Sequence, residues 1–186
     1  MVQVVLFHSI LGLRPAEQEI ASLLAADGHS VALPDLYDGR ATDDYDAGFR
    51  LKEEVGEAAI EAHARAALAE APAEAVLAGV SFGAFLVGRF WGERPRMPGA
   101  LLFAGGAPWM TPRRAGLPVS AHIARPDPFD DEAFFADWAA AAGEVALELH
   151  RYDGAGHYFL DRSLPDHDAV AAELCLERAR AFLRGL

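Results

Sequence analysis

Short apolar runs alternate with helical patterns along the whole of this chain, and that alternation limits it to very few architectures. Runs at residues 2–7, 30–33, 75–80, 100–104, 119–124 and 145–151 have the length of strands and are apolar enough to be covered on both sides. Between them lie patterns of helical period. One starts at Pro15 with Ile20, Leu23 and Leu24 inward and stops at Gly28. A long Ala/Glu-rich helix follows the turn-rich stretch 38–46 and ends near Pro72. A helix carrying Ala84, Phe85 and Val87 runs to about Trp91, and another occupies about 131–142. The last starts near Asp166, a plausible N-cap, with Ala172, Cys175, Ala179, Phe182 and Leu186 as its inward stripe. The expectation is an α/β fold: a mostly parallel sheet of about six strands with helices on both faces, in a single domain over residues 1–186.

Charge narrows the partners. With 16 basic and 28 acidic side chains, the net charge of −12 repels phosphate backbones and anionic lipid, so neither nucleic acid nor membrane is expected. The one cysteine, Cys175, excludes an internal disulfide and any multi-thiolate metal site, and it reads as a small buried hydrophobe. The N-terminal run is too short to span a bilayer and has no basic leader, which suggests a cytoplasmic protein.

The chemistry is concentrated at Gly79-Val80-Ser81-Phe82-Gly83, a G-x-S-x-G pattern between an apolar strand and a helix. Such a turn holds the serine on a strained backbone with Oγ exposed, and the glycines stand where strand and helix converge. The first N–H groups of the next helix face the place where an oxyanion would form. In this setting the acid and then the base follow the serine in chain order. His122 and His150 fall within strand patterns, and His167 falls in the first turn of the last helix. His157 lies in a glycine loop after the last strand, where this architecture keeps its functional groups, and is the expected base. Asp127 is the first carboxylate past the preceding strand and is the expected acid; Asp130 and Asp131 read as a cap for the next helix.

With those residues placed, the chain resembles the dienelactone hydrolase family of α/β-hydrolases from end to end. The likeness is carried by Phe7-His8-Ser9-Ile10-Leu11-Gly12-Leu13, by Pro34-Asp35-Leu36-Tyr37, by Asp127-Pro128-Phe129 and by Gly154-Ala155-Gly156-His157-Tyr158-Phe159. The resemblance implies that the Ile10 and Phe82 backbone N–H groups form an oxyanion hole. It also implies substrate contacts at Tyr37, in the family's second-strand exit, and at two arginines that would grip a substrate carboxylate. Arg40 and Arg162 stand near those places, each one residue later than in the family. The founding members carry a cysteine nucleophile restrained by a glutamate; here Ser81 and Ser9 occupy those positions, so the serine depends on His157 for its proton transfer.

His8 reads as a structural hydrogen-bonder, while Trp109 and Met110 either line the pocket or cover the core. The connection from Gly105 to Gly116 is too short for a lid domain, leaving the roof to about residues 37–51. The implied activity is hydrolysis of small ester or lactone substrates through an acyl-enzyme, without metal or organic cofactor, in a monomer or homodimer. The rivals are an acyltransferase or perhydrolase with the same triad, and a small-molecule-binding protein on a hydrolase scaffold.

Overall fold

The computed structural model describes residues 1–109 and 113–186; Met110 lies outside them. Six strands, β1 (Gln3–Phe7), β2 (Ser30–Ala32), β3 (Val76–Val80), β4 (Ala100–Phe103), β5 (Pro118–Arg125) and β6 (Ala146–Asp153), form one sheet in the order β2-β1-β3-β4-β5-β6. Every pairing is parallel. The helices are α1 (Pro15–Ala26), α2 (Tyr45–Val55), α3 (Glu57–Glu70), α4 (Phe82–Phe90), α5 (Glu132–Ala140) and α6 (Ala169–Arg184).

The period-2 geometry of the strands divides the interior into two cores. Val5, Phe7, Leu77, Leu102, Ala121 and Ile123 face α3, α4 and α5. Val4, Leu6, Val76, Ala78, Leu101 and Phe103 face α1 and α6. The sheet is therefore covered on both sides, as the continuously apolar strands require.

Two boundaries differ from the sequence expectation. The long Ala/Glu helix is two helices, because Gly56 takes φ 82° and its N–H closes on the Lys52 carbonyl. A glycine in this conformation ends one helix and lets the next leave at a new angle. The last helix is capped by Asp168, which accepts the Val170 and Ala171 N–H groups. Asp166 is engaged elsewhere, accepting the Tyr45 hydroxyl and the Tyr158 N–H. On α6, Leu183 is buried and Leu186 is exposed, so the inward stripe ends one residue off the expected register.

The interior holds two neutral histidines. His8 donates from Nδ1 to the Ser9 carbonyl and accepts the Leu36 N–H at Nε2. His122 lies between the Ser120 and Tyr152 hydroxyls. Burial lowers His8 to about 4 and, with help from His150 and Arg178, lowers His122 to about 3. Each depressed value means that the unfolded chain binds a proton that the folded chain refuses, so stability present above pH 6.5 is lost on acidification. His122→Gln should therefore lose less stability than wild type between pH 6.5 and about 3, by on the order of 1 kcal/mol per pH unit. Urea midpoints measured across that range check this; parallel pH dependences would refute it.

Candidate active site

Strand β3 runs into Ser81, whose φ of 52° and ψ of −109° lie where a non-glycine residue is strained. Its N–H donates to the Phe103 carbonyl at 2.7 Å, and the opening turn of α4 holds it from the other side. A Cβ at Gly83 would stand 2.2 Å from the Phe7 carbonyl oxygen, and one at Gly79 would stand 2.2 Å from the Gly83 backbone. Both positions must be glycine for strand, turn and helix to approach this closely.

His157 follows β6 on its glycine loop, and its Nε2 is 2.9 Å from Ser81 Oγ. Its Nδ1 is 2.7 Å from Asp127 Oδ2, just past the end of β5. Asp127 Oδ1 accepts the Phe129 N–H at 3.0 Å, so the carboxylate is fixed at both oxygens. A carboxylate accepting from Nδ1–H leaves Nε2 free to accept the serine proton. Asp131 caps α5 by accepting the Phe134 N–H. Asp130 instead faces the cleft, and burial together with the nearby Asp127 charge pushes its carboxyl above the usual range.

Phe82 is the first residue of α4, so its N–H has no preceding turn to bond to. The Ile10 N–H takes no partner among the described residues, and Ile10 lines the same cleft as Ser81, Phe82 and His157. That cleft holds about 400 Å³. Its walls are largely aromatic: Tyr45 and Phe49 from α2, Phe82 and Phe85 from α4, and Phe129, Phe134 and Trp138 around α5.

The expected substrate contacts are not brought here. Tyr37 is wholly buried in the core against His8, because its ring completes the packing beneath the β2 exit. Arg40 is exposed and reaches Glu54 and the Tyr37 carbonyl. Arg162 is exposed and pairs with Glu19, in a separate groove beside α6. Trp109 stacks between Trp91 and Trp138 and covers the core, leaving Trp138 to face the cleft.

The cation that does line the cleft is Lys52, the one lysine of the chain. It lies 5.2 Å from the Phe82 ring centroid, and no carboxylate among the described residues pairs with it. Its signal in the sequence was its spacing, since Tyr45, Phe49 and Lys52 fall on one face of a helix. Among the described residues no cluster of His, Cys, Asp or Glu could hold a metal ion, and no helix is long and apolar enough to cross a membrane.

The six-stranded parallel sheet, with a strained serine on the turn after β3, defines an α/β-hydrolase. The sequence matches the dienelactone hydrolase family over residues 1–186, and the chain belongs to that family of carboxylic-ester-type hydrolases. No curated protein matches the sequence. Among solved structures, the fold is similar to the dienelactone hydrolase-like promiscuous phosphotriesterase P91 from metagenomic libraries. The identity there is 20%, the TM-score 0.76, and the match covers 100% of this chain and 87% of that one. It is also similar to a protein called m3DLH (22% identity, TM-score 0.78, 98% and 85% covered). A third match is TT1662 from Thermus thermophilus (17% identity, TM-score 0.67, 99% and 88% covered).

Proposed function

We propose that the protein is a serine esterase for small esters or lactones, with Ser81 as nucleophile, His157 as general base and Asp127 as the acid that orients it. The observation that carries this reading is the unbroken chain from Asp127 to His157 to Ser81, at 2.7 and 2.9 Å, ending on a serine of positive φ. Ser81 Oγ attacks the carbonyl carbon as its proton passes to His157 Nε2. The Phe82 and Ile10 N–H groups receive the oxyanion, and the alcohol leaves with the proton from His157. Water then gives a proton to His157 as its oxygen attacks the acyl carbon, and the acid is released as His157 passes that proton back to Ser81 Oγ. The family match, the open cleft and its aromatic walls support a compact substrate with an apolar or aromatic portion.

Peptide mass spectrometry after treatment with a fluorophosphonate tests the reading. A single adduct on Ser81 is the expected result. A folded protein that stays unlabelled would overturn it in favour of a binding protein on the same scaffold.

Lys52 sets the expected charge preference. A carboxylate-bearing ester should be turned over better than its neutral isostere, by about tenfold in kcat/KM, since an ammonium near the surface is partly screened. Lys52→Met should abolish that ratio and Arg40→Ala should leave it unchanged. A ratio that survives in Lys52→Met would remove Lys52 from substrate reading.

A further inference from the structure

Glu17 is wholly buried, and among the described residues no cation pairs with it. The neighbouring Arg14 guanidinium turns to Asp161, Ser163 and the Thr42 carbonyl instead. A buried carboxyl without a counter-ion is costly, so its contacts need an explanation. One oxygen accepts the Arg14 N–H at 3.1 Å, the usual reach of a third-position glutamate back to its helix cap. Capping requires neither full burial nor the second bond. Through that bond the other oxygen accepts the Ser9 N–H at 3.1 Å.

Ser9 directly precedes Ile10, and its polar atoms are all engaged. Its Oγ accepts the Leu11 N–H, and its carbonyl accepts from His8 Nδ1 at 2.7 Å and from the Gly12 N–H at 3.2 Å. The peptide joining Ser9 to Ile10 is planar, so the direction of its carbonyl fixes the opposite direction of the Ile10 N–H. The peptide before it, joining His8 to Ser9, is held by Glu17. With both planes fixed, rotation about Ser9 is blocked.

We propose that Glu17 is a positioning residue for the oxyanion hole: by holding the Ser9 N–H it locks the loop that aims the Ile10 N–H at the reacting oxygen. This rests on the esterase reading. A carboxyl suits the place because it offers an acceptor to each of two N–H donors, whereas an amide offers one acceptor and turns its NH₂ towards the other donor. Burial raises the Glu17 carboxyl, while the Ser9 and Arg14 N–H groups and the Tyr158 hydroxyl act in the opposite sense.

The test compares wild type with Glu17→Gln, and with Glu17→Asp, which keeps an acidic first turn but falls short of Ser9. Each is assayed for turnover of a p-nitrophenyl ester. Each is also assayed for binding of a trifluoromethyl ketone, whose adduct with Ser81 places an oxyanion in the hole, and of the matching secondary alcohol, which does not. Both variants should lose about ten- to a hundredfold in kcat and in ketone affinity, with KM and alcohol affinity unchanged. Wild-type kcat in a folded variant, or equal losses for ketone and alcohol, would overturn the proposal. If wild type itself neither turns over ester nor binds the ketone, the esterase reading falls and the positioning role falls with it.

Discussion

Ser81→Ala is expected to lower kcat by about 10⁴-fold or more on any ester the protein hydrolyses, while unfolding at nearly the wild-type temperature. The size of the loss follows from removing the atom proposed to form the acyl bond, since the N–H groups of Phe82 and Ile10 and the walls of the cleft remain. The fold should be indifferent because Ala meets the same backbone strain at φ 52° as the serine it replaces. Ser81→Gly extends the argument: glycine adopts positive φ without that strain, so this variant should be equally inactive yet at least as stable as Ser81→Ala. Near-wild-type turnover in purified Ser81→Ala would falsify the assignment of the nucleophile. A Ser81→Gly protein clearly less stable than Ser81→Ala would show that the strain argument is wrong.

The parts of the molecule legible in the sequence are those set by local chemistry. Strands buried on both faces must be apolar throughout, so β1, β3, β4 and β5 stand out, and Gly79 and Gly83 mark a place where strand and helix backbones nearly touch. Asp127 and His157, which lie 2.7 Å apart, could be singled out because each is the first suitable group past a strand end. What stayed hidden depends on tertiary packing. Gly56 looks like a tolerable glycine inside a helical pattern until φ 82° shows that it separates two helices. The sequence points to Asp166 as the cap of the last helix, but Asp166 is taken by Tyr45 arriving from α2, and Asp168 caps instead. Tyr37, Arg40, Arg162 and Trp109 were expected at the substrate through likeness or open alternatives. No local signal says that Tyr37 turns into the core or that Arg162 emerges beside α1.

The cleft shows the same limit from the other side. Its roof is one face of α2, and the sequence contains that face plainly as an aromatic pair and a lysine at helical spacing. Periodicity identifies such a stripe but cannot say whether it packs on a core or overhangs an opening. Phe49 is exposed and touches Phe129 across the cleft, which is the arrangement of a wall rather than of a core.

Asp127→Asn should cost roughly 10³- to 10⁴-fold in kcat, whereas Asp130→Asn and Asp131→Asn should each cost little. The reason lies in how both Asp127 oxygens are used. Oδ1 accepts the Phe129 N–H and Oδ2 accepts from His157 Nδ1. An asparagine that keeps its oxygen on Phe129 must turn its NH₂ towards the imidazole, and two donors then face each other. The ring escapes that repulsion by carrying its proton on Nε2, the nitrogen that must accept from Ser81, so the base is present but in the wrong tautomer. The fold should survive, because the side chain keeps its shape in a buried place and one of its two bonds is retained. Asp131→Asn preserves an effective helix cap. Asp130 carries no hydrogen bond to His157, and its amide would remove a charge that burial already disfavours. Steady-state kinetics on the three purified variants decide the matter. If Asp130→Asn is the crippled enzyme and Asp127→Asn is spared, the acid lies one loop turn later and the 2.7 Å contact at Nδ1 serves structure rather than catalysis.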